Sequence, residues 1–211
     1  MTNRHDPSKG PTRLLRSIQG MFAAAVTLLP VAASAHPGIA GHLHGFAYGF
    51  AHPFSGVDHI LAMVAVGLFA AHLGGRALWL VPMSFVSVMA LAGVAGAMGV
   101  TLPFAEIGIA LSVIVLGLAV AFQRNVPTLA AMALVGFFAV FHGYAHGAEM
   151  PVSASGLSYG LGFVAATAVL HAIGIGLALA ISRTGQATGR QLAQLSGAAI
   201  SLAGIALLIS P

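Results

Sequence analysis

Apolar stretches of near-constant length, separated by short polar breaks, run through most of this chain. They cover residues 49–72, 77–100, 104–122, 128–148, 156–182 and 191–209. Each is close to the roughly 20 residues that a helix needs to cross a bilayer, so the pattern predicts an all-α, polytopic membrane protein with six transmembrane helices. The first span carries Pro53 and Gly56 near its start, which makes 40–50 a candidate loop, half-helix or lid. Glycines such as Gly93, Gly96, Gly117 and Gly174 recur within the spans and point to close helix packing.

A different pattern precedes the first span. Arg13 and Arg16 lead into a short apolar run from Met21 to Leu29, followed by Ala33-Ser34-Ala35. A charged start, a short apolar run and a small-x-small ending describe a cleavable signal peptide over 1–35. The competing reading is an uncleaved helix over 18–35, which is near the minimum spanning length. Cleavage leaves 36–211 as a single membrane domain with His36 at an exported N-terminus.

Composition agrees with a life in lipid: 58% of residues are apolar and 6% charged, against about 25% charged in soluble domains. The net charge of +4 does not signal nucleic acid, because four of the eight basic residues (Arg4, Lys9, Arg13 and Arg16) fall within the first sixteen positions. The remaining four occupy alternate gaps, Arg76 after the first span, Arg124 after the third, and Arg183 and Arg190 between the fifth and sixth. The positive-inside rule makes those gaps cytoplasmic and both mature termini extracytoplasmic, in the cytoplasmic (inner) membrane of the cell. The chain has no cysteine, so disulfides, thiolate metal sites and cysteine nucleophiles are excluded.

Against this apolar background the ionisable residues are conspicuous, since intramembrane charges are costly and mark functional sites. His142, His146 and Glu149 are spaced i, i+4 and i+7 at the end of the fourth span and share one helix face. His52 and His59, seven apart near the start of the first span, share a face on a regular helix, with Asp58 beside them. Asp58 either ligates directly or accepts the ring N–H of a histidine and fixes its tautomer. Imidazole with carboxylate is a ligand set for divalent transition metals. The topology puts both clusters at the extracytoplasmic side, at comparable depth. His36, His42 and His44 form a histidine-rich segment outside, suited to collecting ions at the mouth. His171, midway along the fifth span, reads either as a relay ligand or as a core histidine, and Glu106 as a helix-terminus charge. There is no phosphate-binding loop, zinc-protease motif or nucleophile elbow.

With these residues in view the chain resembles the HupE/UreJ family of bacterial nickel permeases. The first motif, H-P with five residues ending in D-H, reads His52-Pro53-Phe54-Ser55-Gly56-Val57-Asp58-His59, and the second, F-H-G-x-A-H-G-x-E, reads Phe141-His142-Gly143-Tyr144-Ala145-His146-Gly147-Ala148-Glu149. The resemblance implies a non-enzymatic role: uptake of Ni2+, with Co2+ the alternative, as transported substrate, and no tightly bound cofactor. Two rival readings follow from the residues alone, an intramembrane zinc-dependent hydrolase with three histidines on the metal and a haem-binding subunit with paired axial histidines.

Overall fold

The computed structural model describes residues 41–150 and 155–209, all of them helix, turn or short connection. The signal peptide over 1–35 and His36 lie outside the described residues. Seven α-helices follow in order: α1 (Gly41–Ala51), α2 (Val57–Leu73), α3 (Ala77–Ala97), α4 (Ala105–Phe122), α5 (Thr128–Ala148), α6 (Gly156–Ser182) and α7 (Gln186–Ile209). A 3-10 turn, His52–Phe54, joins α1 to α2. Helices α3 to α7 are each long and apolar enough to cross a membrane; α1 and α2, which meet at a bend of 80°, make a sixth span if the pair is one broken span rather than a re-entrant loop.

The bend departs from the regular first span expected over 49–72, and its cause is local. Pro53 has no backbone N–H to continue the α-helix. Ser55 turns back on His52, whose carbonyl accepts both the Ser55 backbone N–H (2.9 Å) and its hydroxyl (2.6 Å). Gly56 is then extended (φ −106°, ψ 123°), and α2 starts afresh at Val57. The face shared by His52 and His59 therefore does not exist; they sit on either side of a corner. The last helix also starts earlier than its apolar run, so Arg190 stands in its second turn rather than in a loop.

Connections at one end are tight. Gly74 and Gly75 adopt left-handed φ values of 66° and 49°, which a residue without Cβ takes without strain, and three residues suffice between α2 and α3. At that same end α4 stops at Gln123, whose side-chain amide donates to the Val120 carbonyl (2.7 Å).

Helix α2 occupies the centre. An almost unbroken run from Ala62 to Ala70 is buried, so no side of it faces lipid. Around it, α3 lies along α5, α4 along α7, and α6 along both α1 and α2. These pairs approach to backbone contact. A Cβ at Gly143 or Gly147 of α5 would collide with the backbones of Met89 and Gly93 on α3, and Gly67 of α2 abuts the backbone of α6 at His171 and Gly174. Small residues permit this closeness, and the packing it allows holds helices together in lipid, where there is no hydrophobic drive between them. The outward faces carry Trp79, Leu91, Leu129, Phe137, Leu202 and other exposed large apolar side chains, as a lipid-facing surface requires.

Candidate metal centre

The corner between α1 and α2 meets the end of α5, and the two histidine motifs come together there. His59, His142 and His146 each offer a nitrogen, and those atoms lie within 4.8 Å of one another. A second group, His52, His146 and Glu149, satisfies the same distance. His146 belongs to both. Ring centroids are 4.3 Å apart for His59 and His146, 5.0 Å for His59 and His142, and 4.7 Å for His52 and His146.

The two groups differ in their exposure. His142 and His146 are buried, and the His59 side chain is only 12% exposed. In the other group the His52 side chain is 31% exposed and that of Glu149 60%, with His52 Nε2 3.5 Å from Glu149 Oε2. A wet, anionic outer group thus leads into a dry, three-imidazole inner group.

Hydrogen bonds decide which nitrogen each histidine presents. Asp58 Oδ1 lies 2.7 Å from His59 Nδ1 and also accepts the His59 backbone N–H (2.8 Å). A carboxylate only accepts, so Nδ1 carries the proton and the Nε2 lone pair is left free. Nε2 has no partner among the described residues. Of the two roles open to Asp58, the geometry favours orienting His59. Its place in the first turn of α2 is also favourable to a negative charge.

Ser112 of α4 does the same for His142. Its hydroxyl donates to the Ile109 carbonyl (2.6 Å) and lies 2.8 Å from His142 Nε2. Having spent its one hydrogen on Ile109, it can only accept from His142, so Nε2 is the protonated nitrogen and Nδ1 is the free one. Nδ1 has no partner among the described residues. Neither nitrogen of His146 has a partner among the described residues, so its ring can face either group. Glu149 stands at the C-terminus of α5, where the helix dipole disfavours an anion and a bound cation relieves the conflict.

Aromatic walls close the centre. Phe163 of α6 lies against His146 (4.0 Å between centroids), Tyr159 faces His52 (6.1 Å), and Phe85 of α3 lies beneath His142 (5.6 Å). A mainly apolar cavity of about 540 Å3 between α3, α5 and α6 reaches His146. Sequence reasoning did not find Ser112, Phe85 or Phe163, because a serine or phenylalanine in an apolar span carries no local signal. His42 and His44 fall on the first turns of α1, with side chains outside the described part of the structure. Glu106 is exposed on the first turn of α4, and His171 and His72 lie elsewhere in the bundle.

Comparison with known proteins accords with this architecture. The profile of the family described as HupE / UreJ protein matches residues 24–207. A protein named Protein HupE from Rhizobium leguminosarum bv. viciae is 51% identical over 185 residues, which span 88% of this chain and 94% of that relative. No solved structure matches the chain. By profile and by relative alike, this multi-pass helical protein belongs to the HupE/UreJ family.

Proposed function

We propose that the chain is a permease that takes up a divalent transition-metal ion, foremost Ni2+, across the cytoplasmic membrane. One observation carries this reading: a dry three-histidine group shares His146 with a half-exposed group of His52 and Glu149. The family is associated with uptake of nickel or cobalt, and both ions suit imidazole nitrogen.

The arrangement favours passage over storage. An arriving hydrated ion meets Glu149 and His52 first, where partial exposure keeps the cost of dehydration small. His146 then supplies a nitrogen in place of water. A neutral imidazole has one lone pair, so His146 serves the outer group or the inner group but not both at once. Turning from one to the other hands a single ion to His59 Nε2 and His142 Nδ1. Asp58, acting through His59, offsets part of the dication's charge in a site where an uncompensated ion is prohibitively expensive.

The orientation follows from the arginines. Arg190 lines a cavity with His72, Gln123, Asn125, Ser182 and Gln186 at the end of the bundle away from the metal centre. Arg76 and Arg124 occur in the connections at that end, and the positive-inside rule assigns it to the cytoplasm. An inside-negative potential then drives inward movement, worth roughly 4.6 kcal/mol per 100 mV for a dication. In cells, the chain should raise Ni2+ accumulation from a metal-poor medium. His146→Ala should abolish the gain with the protein still inserted in the membrane. Undiminished accumulation in that variant refutes the site. Stoichiometric zinc that survives purification, with no accumulation, contradicts a permease and returns the hydrolase reading.

A further inference from the structure

Deeper in the bundle a second histidine stands in an unusual setting. His171 of α6 is 2% exposed, and neither ring nitrogen has a hydrogen-bond partner among the described residues. A core histidine ordinarily satisfies at least one nitrogen, because a buried donor or acceptor left unpaired is expensive. Thr167, one turn earlier on α6, is otherwise engaged, donating to Met89 Sδ (3.7 Å).

Its location is as informative as its lack of partners. Phe85, itself fully buried, packs against both His142 (5.6 Å between centroids) and His171 (5.3 Å, rings at 87°). His171 and the three-histidine group thus share one aromatic neighbour. Along α6, His171 lies eight residues beyond Phe163, which walls His146, and seven before Ala178, which lines the cavity at the arginine end. At 1.5 Å per residue that puts it about 12 Å inward of Phe163 and about 10 Å short of Ala178. That cavity, about 1270 Å3, has a mixed polar and apolar lining that includes His72, whose Nε2 is buried without a partner among the described residues.

We propose that His171 is an inner transit ligand for the transported divalent metal ion, sharing Phe85 as a neighbour with the three-histidine centre and leading to the cavity at His72. This rests on the permease reading and adds a step to it. A centre that ends at the three histidines leaves a stretch of bundle before the inner cavity: on α2, Leu68 lines that cavity nine residues beyond His59, about 13 Å by helix rise. A single imidazole within that stretch provides a weak, exchangeable hold, as conduction requires of an intermediate station.

The test compares native protein, His171→Leu and His171→Met, each purified at full length. Equilibrium Ni2+ binding in detergent and Ni2+ flux into proteoliposomes are measured on the same preparations. The expected result for His171→Leu is native equilibrium binding, because the outer centre is intact, with flux reduced about tenfold or more. His171→Met, which returns a soft ligand atom at similar reach, should recover part of that flux. Native flux in His171→Leu overturns the proposal. So does loss of equilibrium binding together with flux, which makes His171 a structural support of the outer centre, and so does equal flux in the Leu and Met variants. A native protein that binds Ni2+ but passes none fails the permease reading instead, and the two failures are thereby separated.

Discussion

Replacing Ser112 by alanine removes one oxygen atom and should weaken metal binding without disturbing the fold. In the native protein the hydroxyl holds the proton of His142 on Nε2 and leaves Nδ1 free for the ion. In Ser112→Ala the ring has two options. It can keep the ligating tautomer and leave Nε2–H buried with no acceptor, at about 1–3 kcal/mol. Alternatively it can move the proton to Nδ1, which blocks the ligand position until the proton returns to Nε2 on binding. Nδ1 has no partner among the described residues either, so the free protein carries an unpaired N–H in both cases. Affinity falls because the ring is no longer held in its ligating tautomer and orientation, by about the 10- to 100-fold typical of lost partners behind metal-binding histidines. The lost oxygen is small, and the Ile109 carbonyl keeps its place in α4, so the loss of stability in detergent should stay within about 1–3 kcal/mol, the cost of one unpaired N–H. Co2+ titration by visible absorption gives the affinity, and 15N NMR of labelled imidazole gives the tautomer directly. Unchanged affinity in a well-folded variant, or a native His142 protonated on Nδ1, refutes the reasoning.

Two further perturbations probe other parts of the account. Asp58→Asn removes the charge behind His59 at almost constant shape, and should lower metal affinity about 10- to 100-fold, read by the same titration. Gly147→Ala forces a methyl group into the Gly93 backbone where α3 and α5 touch and should cost about 1–3 kcal/mol, seen as a lower unfolding temperature in detergent. Gly160→Ala serves as its control, since a Cβ there meets nothing within 4 Å. Equal effects of the two glycine changes contradict the close helix approach.

Much of the fold was legible in hydropathy because each span must satisfy its own backbone hydrogen bonds in lipid, which makes helix length and apolar length coincide. The start of the first span was less so. Pro53 and Gly56 announced a break, but the 80° turn depends on Ser55 folding back onto His52 and on α1 finding a groove along α6. That turn takes His52 off the helix of His59 and aims it at His146 and Glu149. The ionisable residues were conspicuous because membrane spans rarely contain them. The partners that tune them were not. Ser112 bonds a carbonyl three residues back, as serines in helices commonly do, and its second bond to His142 crosses to another helix. The signal peptide over 1–35 remains an expectation of the sequence, as do the roles given to His36, His42 and His44.

Metal flux through the purified chain alone bears most directly on the central claim. Native protein and His146→Ala are reconstituted in proteoliposomes, Ni2+ is supplied outside, and an inside-negative potential is imposed. The account predicts potential-dependent accumulation by the native protein, without ATP or a partner subunit, and none above protein-free vesicles with His146→Ala. Equal accumulation by the two proteins, or none by correctly oriented native protein, contradicts it.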